Sequence, residues 1–190
     1  MAKSINVGEK IKSLRESKNI TREALSERSG LSIDQIIAIE ENVNLPSLAP
    51  LIKIARVMGI RLGTFLDDND ELGPVVSRKT DKIDSISFSN DATESRKHMD
   101  YYSLSKAKSG RHMEPFLIDI LASDAEFSLS SHEGEEFIYV LEGLVEINYG
   151  KDTYILEPGD SIYYDSIVAH HVHACPETDA KILAVVYTPI

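Results

Sequence analysis

The stretch Ser130-Ser131-His132-Glu133-Gly134-Glu135-Glu136-Phe137-Ile138-Tyr139-Val140-Leu141-Glu142-Gly143 decides how the second half of this chain reads. Residues 137–141 form an apolar run too short for an ordinary helix. It stops at Glu142-Gly143, so it reads as a strand closed by a turn. The pattern recurs on both sides. Residues 83–88, 101–104, 116–121, 126–129, 145–149, 154–156, 161–164 and 182–188 read as further short strands. Turn-forming clusters separate them, notably Tyr149-Gly150-Lys151-Asp152 and Glu157-Pro158-Gly159-Asp160. Many short strands with no helical spacing between them predict an all-β sandwich or jelly-roll barrel over 83–190.

Before residue 67 the periodicity is different. Val7, Ile11 and Leu14 recur at helical spacing. Thr21 is placed to cap a second helix carrying Ala24 and Leu25, which ends at Ser29-Gly30. Ser32 with Gln35 three residues on is a capping-box pattern, and Ile36 and Ile39 give the third helix its buried face. Ser47 stands where it could cap a fourth helix, with Pro50 in the first turn and Gly59 at the stop. Leu62, Phe65 and Leu66 suggest a short fifth helix. Residues 1–66 therefore read as a five-helix bundle. The acidic Asp67-Asp68-Asn69-Asp70-Glu71-Leu72-Gly73-Pro74 opens a linker over 67–82, since it has little apolar surface to bury. The expected fold is a two-domain α + β protein.

The net charge of −11 hides an asymmetry. Residues 1–66 hold 10 Lys/Arg against 7 Asp/Glu, while residues 67–190 hold 10 against 24. A mildly basic head on an acidic body allows the head alone to approach phosphates. No apolar run approaches the ~20 residues of a membrane helix, and the N-terminus has no secretory core. The single cysteine, Cys175, suits a reducing compartment, so a cytoplasmic protein with no membrane contact is expected.

Thr21 to Ser32 forms two short helices joined by a Gly-containing turn, followed by Ile39-Glu40-Glu41-Asn42-Val43-Asn44-Leu45-Pro46-Ser47-Leu48. Residues 6–66 thereby resemble the XRE, or phage-repressor-like, helix-turn-helix family. The resemblance implies binding to a double-stranded DNA operator, with Ser32, Ile33, Asp34, Gln35, Ile37 and Ala38 reaching bases. Gln35 suits adenine, Ile33 and Ile37 suit thymine methyls, and Asp34 could accept from cytosine. Lys10, Lys12, Arg15, Lys18, Arg22 and Arg28 are the cations left for phosphates. The family's usual Arg-Gly-Lys is Glu41-Asn42-Val43 here, and Asn42 can take the left-handed conformation of that glycine. The bland alternative is a bundle kept for dimerisation or substrate access.

The stretch from Ser130 to Gly143, with Pro158-Gly159-Asp160 and a later His170, resembles the two cupin motifs, and the resemblance spans residues 97–190. It implies a double-stranded β-helix barrel with a metal held by His132, Glu136 and His170, while Ser130 stands where the first cupin histidine would be. Two imidazoles and a carboxylate on one face suit Fe(II), and Zn, Ni or Mn could also occupy them. Against this stands a metal-free barrel with an apolar pocket. Ser130, Tyr102, Tyr139 and His173 are the candidate pocket residues, His173 by alternation with His171. The order of domains resembles helix-turn-helix–cupin transcriptional regulators. It implies a homodimer or higher homo-oligomer whose barrel senses a small-molecule effector. The same order and triad also resemble mononuclear non-haem iron oxidases and epoxidases of helix-turn-helix–cupin type, the alternative reading.

Overall fold

A computed structural model describes residues 7–43, 47–66, 74–78, 86–87, 99–108, 111–123 and 127–189. The head is five helices, α1 Val7–Ser17, α2 Arg22–Ser29, α3 Ile33–Glu40, α4 Leu48–Met58 and α5 Gly63–Leu66. Their ends follow from the sequence. Thr21 Oγ1 accepts from the Ala24 N–H at 3.1 Å, and Gly30 ends α2 with φ +70°. Ser32 and Gln35 make both halves of the capping box, at 3.2 and 2.9 Å. Asn42 does take positive φ, +55°. Its side-chain oxygen accepts from the Gly8 N–H at 2.9 Å and ties the end of α3 to the start of α1. Ser47 departs from expectation, for its hydroxyl makes no cap to α4.

Ile11, Leu25, Ile36, Ile39, Leu51, Ile54 and Phe65 are fully buried between these helices. Each contributes about 1.5–3 kcal/mol of transfer free energy. Among them lies a charged cluster. Glu40, at the end of α3, accepts from Arg15 Nε at 2.5 Å and Nη2 at 3.2 Å, and from Arg22 Nε at 2.8 Å. Arg15 is 7% exposed, so it is withdrawn from the phosphate-facing set. Glu40 compensates the guanidinium that is buried there.

Among the described residues the second domain holds nine strands, β1 Ile86–Ser87, β2 Met99–Ser103, β3 Met113–Ile120, β4 Glu135–Glu142, β5 Val145–Tyr149, β6 Asp152–Leu156, β7 Ser161–Asp165, β8 His170–Ala174 and β9 Ala180–Tyr187. They form an antiparallel six-stranded sheet ordered β1-β2-β3-β9-β4-β7 and a three-stranded sheet ordered β6-β5-β8. Strict alternation sends Phe116, Ile118 and Ile120, Ile138 and Val140, and Ile182, Ala184 and Val186 into the core from the large sheet. Val145, Ile147 and Ala174 meet them from the small one. The two differences from the sequence reading are instructive. Residues 127–129 are not a strand, while residue 126 lies outside the described set. β8 was hidden because its outer positions are histidines rather than ordinary polar residues. Phe127 stacks on His171 at 4.5 Å and His173 at 5.0 Å, covering that face. Most of the 67–82 linker and of the 83–88 segment lies outside the described residues; 74–78 are neither helix nor strand.

The two domains touch. Gly63 of α5 lies against Arg111 and Glu114, a buried pair at 2.7 Å in the barrel, so closely that a Cβ there would overlap both side chains. Arg56 of α4 pairs with Glu133.

Candidate metal centre

Three backbone devices bring His132, Glu136 and His170 together. Ser130 and His170 exchange both N–H···O bonds, at 3.0 and 2.9 Å, docking the segment before β4 onto β8. His132 N–H donates to the Ser166 carbonyl at 2.9 Å, and Ser166 N–H to the Gly134 carbonyl at 2.9 Å. Gly134, with φ +113°, makes the turn between the two ligands, and a Cβ there would collide with the Tyr187 carbonyl. Glu136 then points inward from the start of β4.

Glu136 Oε1 lies 2.8 Å from His132 Nε2 and 3.4 Å from His170 Nε2, and the three ligand atoms all fall within 4.8 Å of one another. The side chains are only 4%, 12% and 7% exposed for His132, Glu136 and His170. Each imidazole places its other nitrogen on a backbone carbonyl, His132 Nδ1 on Glu133 at 3.0 Å and His170 Nδ1 on Val168 at 2.8 Å. A carbonyl only accepts, so both Nδ1 atoms carry the proton. A neutral ring then turns a lone pair toward a carboxylate oxygen. Two acceptors at such distances require a proton or a cation between them. The residues fit a divalent metal, with two imidazole nitrogens and one carboxylate oxygen on one face.

Burial alone would raise the Glu136 carboxyl, but the two imidazoles, which donate from Nε2 and carry positive charge once protonated there, outweigh it and hold the group well below the usual carboxylate range. Tyr164, paired with Glu136 across β7 and β4, donates to Oε2 at 2.8 Å, and Ser166 Oγ reaches Oε1 at 3.2 Å. Burial and the adjacent carboxylate push the Tyr164 phenol well above 10, so it stays a donor. Residue type alone does not single out Tyr164 among the eight tyrosines of the chain. Counting alternation along 161–165 would have put it with Ile162 on the inner face.

The triad opens into a cavity of about 90 Å³. Of the four pocket candidates, Ser130 lines it. Tyr102 is not among the lining residues, and its neighbour Tyr101 is. Tyr139 points outward, 38% exposed. His173 lies on the outer face of β8, 3.6 Å from Glu146, and burial lowers its pKa. The head adds lining residues that no reading of either domain alone could supply, Ser47, Leu48 and Ala49 at the start of α4.

On the head, Ser32, Ile33, Asp34 and Gln35 are exposed at the start of α3, and Ile37 and Ala38 are half-buried. Arg22 is half-buried, its Nε committed to Glu40. Lys12, Lys18 and Arg28 are exposed.

A helix-turn-helix family profile matches residues 11–65 and a cupin domain profile matches residues 117–186. The chain is 29% identical to the (S)-2-hydroxypropylphosphonic acid epoxidase of Streptomyces wedmorensis, over 96% of each chain. The crystal structure of Fe(II) HppE superposes with a TM-score of 0.52 at 26% identity, covering 96% of this chain and 98% of that one. An HTH_3 family transcriptional regulator from Vibrio cholerae shares the fold, with a TM-score of 0.69 at 22% identity over 98% and 97% of the two chains. Among the described residues no helix is long and apolar enough to cross a membrane. The chain is a helix-turn-helix–cupin protein, its helical domain first and its barrel second, the domain order of the epoxidase.

Proposed function

We propose that this protein is a cytoplasmic DNA-binding transcriptional regulator whose cupin barrel binds a small metabolite beside a divalent metal. The carrying observation is the start of α3. Its capping box leaves Ser32, Ile33, Asp34 and Gln35 exposed while Ile36 and Ile39 are buried, so four consecutive side chains are presented without a packing role. Such a helix end suits base edges in the major groove, with Ile37 and Ala38 along its flank. Lys12, Lys18, Arg28 and the free side of Arg22 supply phosphate contacts. One head reads few base pairs, so a homodimer on two half-sites completes the reading.

In the barrel, His132, Glu136 and His170 would hold the metal, which supplies a Lewis-acidic docking point for an oxygen of the effector. Ser166 and Tyr164 fix the Glu136 carboxylate, and the two backbone carbonyls fix the rings. Selection from random duplexes by the full chain, at low salt and with Fe(II) or Zn(II), is the test. An enriched motif lost in Gln35→Ala is the expected result, and no enrichment would overturn the reading.

The enzyme reading has one observation in its favour, a three-ligand site that opens into a cavity in a chain 29% identical to an epoxidase. Oxygen uptake by the Fe(II)-loaded chain with (S)-2-hydroxypropylphosphonic acid decides it. Uptake coupled to substrate loss would replace the regulator as the principal function.

A further inference from the structure

The cavity beside the triad belongs to both domains. Ser47, Leu48 and Ala49 from the head line it together with His132, Glu136 and His170. Ser47 Oγ is buried and has no hydrogen-bond partner among the described residues, although it occupies the N-cap position of α4. The N–H groups of Leu48 and Ala49, in the first turn, have no intrahelical acceptor, and Pro50 has none to offer. Buried donors without acceptors are costly, and the positive end of an eleven-residue helix favours an anionic oxygen. Apart from Ser130, Tyr101 and His171, the remaining walls are apolar. Polar chemistry is therefore concentrated at the triad and at the start of α4.

We propose that the effector is held by both domains at once, one oxygen-bearing end beside the triad and an oxyanionic end on the Ser47 hydroxyl and the first-turn N–H groups of α4. This rests on the reading that the barrel holds a small effector. It adds a chemical class, a compact molecule with oxygen donors at both ends, because the cavity admits only a few heavy atoms. It also adds a route to the head. The far end of α4 carries Arg56, which pairs with Glu133, and the Glu133 carbonyl accepts from the His132 ring. One helix thus touches the effector with its first turn and the metal-ligand loop with its last. It also packs on α2, the first helix of the helix-turn-helix. A ligand that binds better when α4 is drawn onto the barrel shifts the position of the head by its differential affinity alone.

The test uses the full chain loaded with Co(II), whose visible bands report on its donors. Malonate and succinate are the two-ended probes and propionate the one-ended control. Hydrogen exchange is followed over residues 47–58. The expected result is that a diacid shifts the cobalt bands and slows exchange over that segment. Ser47→Ala should weaken the diacid about tenfold, and Ser47→Asp should abolish its binding by repulsion, with propionate unchanged in both. Aspartate is a good N-cap, so the unfolding midpoint of Ser47→Asp should not fall, which separates a ligand role from a folding role. Diacid and propionate acting alike in all three proteins, with unchanged exchange, would overturn the proposal and leave DNA binding to the duplex selection. Absent cobalt bands would remove the metal. Malonate that still slowed exchange at 47–58 would then uphold the α4 contact, and malonate that did not would overturn it.

Discussion

Each domain is built around a buried carboxylate held by two nitrogen bases, and the two are put to different uses. In the head, Glu40 is fully enclosed by Arg15 and Arg22, guanidinium groups that keep their charge at every working pH. In the barrel, Glu136 faces His132 and His170, rings whose Nε2 lone pairs can bind a proton or a metal. The barrel cluster opens into a cavity that its three side chains help to line. A buried carboxylate among bases is thus no sign of function by itself. The distinguishing feature is partners that can exchange what they carry.

The contrast between the two carboxylates is sharpest at Glu40. Glu40→Ala leaves two guanidinium groups uncompensated inside the head, and a loss of about 3–5 kcal/mol is expected. Urea unfolding followed by head and barrel probes would check it, with the metal content unchanged. Its pH dependence has a definite sign. Burial raises the Glu40 carboxyl, the hydrogen bonds and charges of Arg15 and Arg22 lower it further, and the net shift is downward. The stabilisation is therefore full above the unfolded carboxylate value of about 4.3 and is lost as pH falls through the lower folded value. Glu40→Gln should flatten that acid limb.

His132→Ala should do the reverse, cutting metal affinity by about a hundredfold, ~2.7 kcal/mol, while the head unfolds as before. Elemental analysis after gel filtration measures it, and full retention of metal would remove His132 from the ligand set. Tyr164→Phe is a milder change, since it takes one donor from Glu136 and leaves the three ligands. A loss of about tenfold in metal affinity is expected, by titration against a chelating dye. The smallest effect is Ser32→Ala, which removes half of a capping box at an exposed helix end. About 1 kcal/mol of head stability should go, with a larger loss of operator affinity if Ser32 also contacts DNA.

The parts of this molecule legible in sequence were those written in local code. Thr21, Ser32 with Gln35, Gly30 and Gly59 mark helix ends because caps are decided within four residues. The triad was legible because its spacing belongs to one loop, one strand and one later histidine. The rest depended on distance. Arg15 looked like a phosphate contact because nothing nearby in sequence shows Glu40 beneath it, 25 residues away. Tyr102 and Tyr139 are pocket candidates on residue type and His173 by alternation with His171, whereas strand register sets the facing of each and leaves His171 and His173, two residues apart, on one face of β8. Ser47 is the right residue for a cap, yet its hydroxyl is buried without a cap bond, and the residue lines a cavity shared with the barrel.

Gly63 carries a consequence for how such a chain can be taken apart. Its missing side chain is the clearance through which α5 meets the buried Arg111–Glu114 pair. A head transplanted onto another barrel would need the same vacancy opposite the same ion pair. A barrel expressed alone would leave Arg111 and Glu114 facing water that they now exclude. The two halves are matched at this one point, and Gly63→Ala is a small lesion with which to ask whether they can still be fitted together.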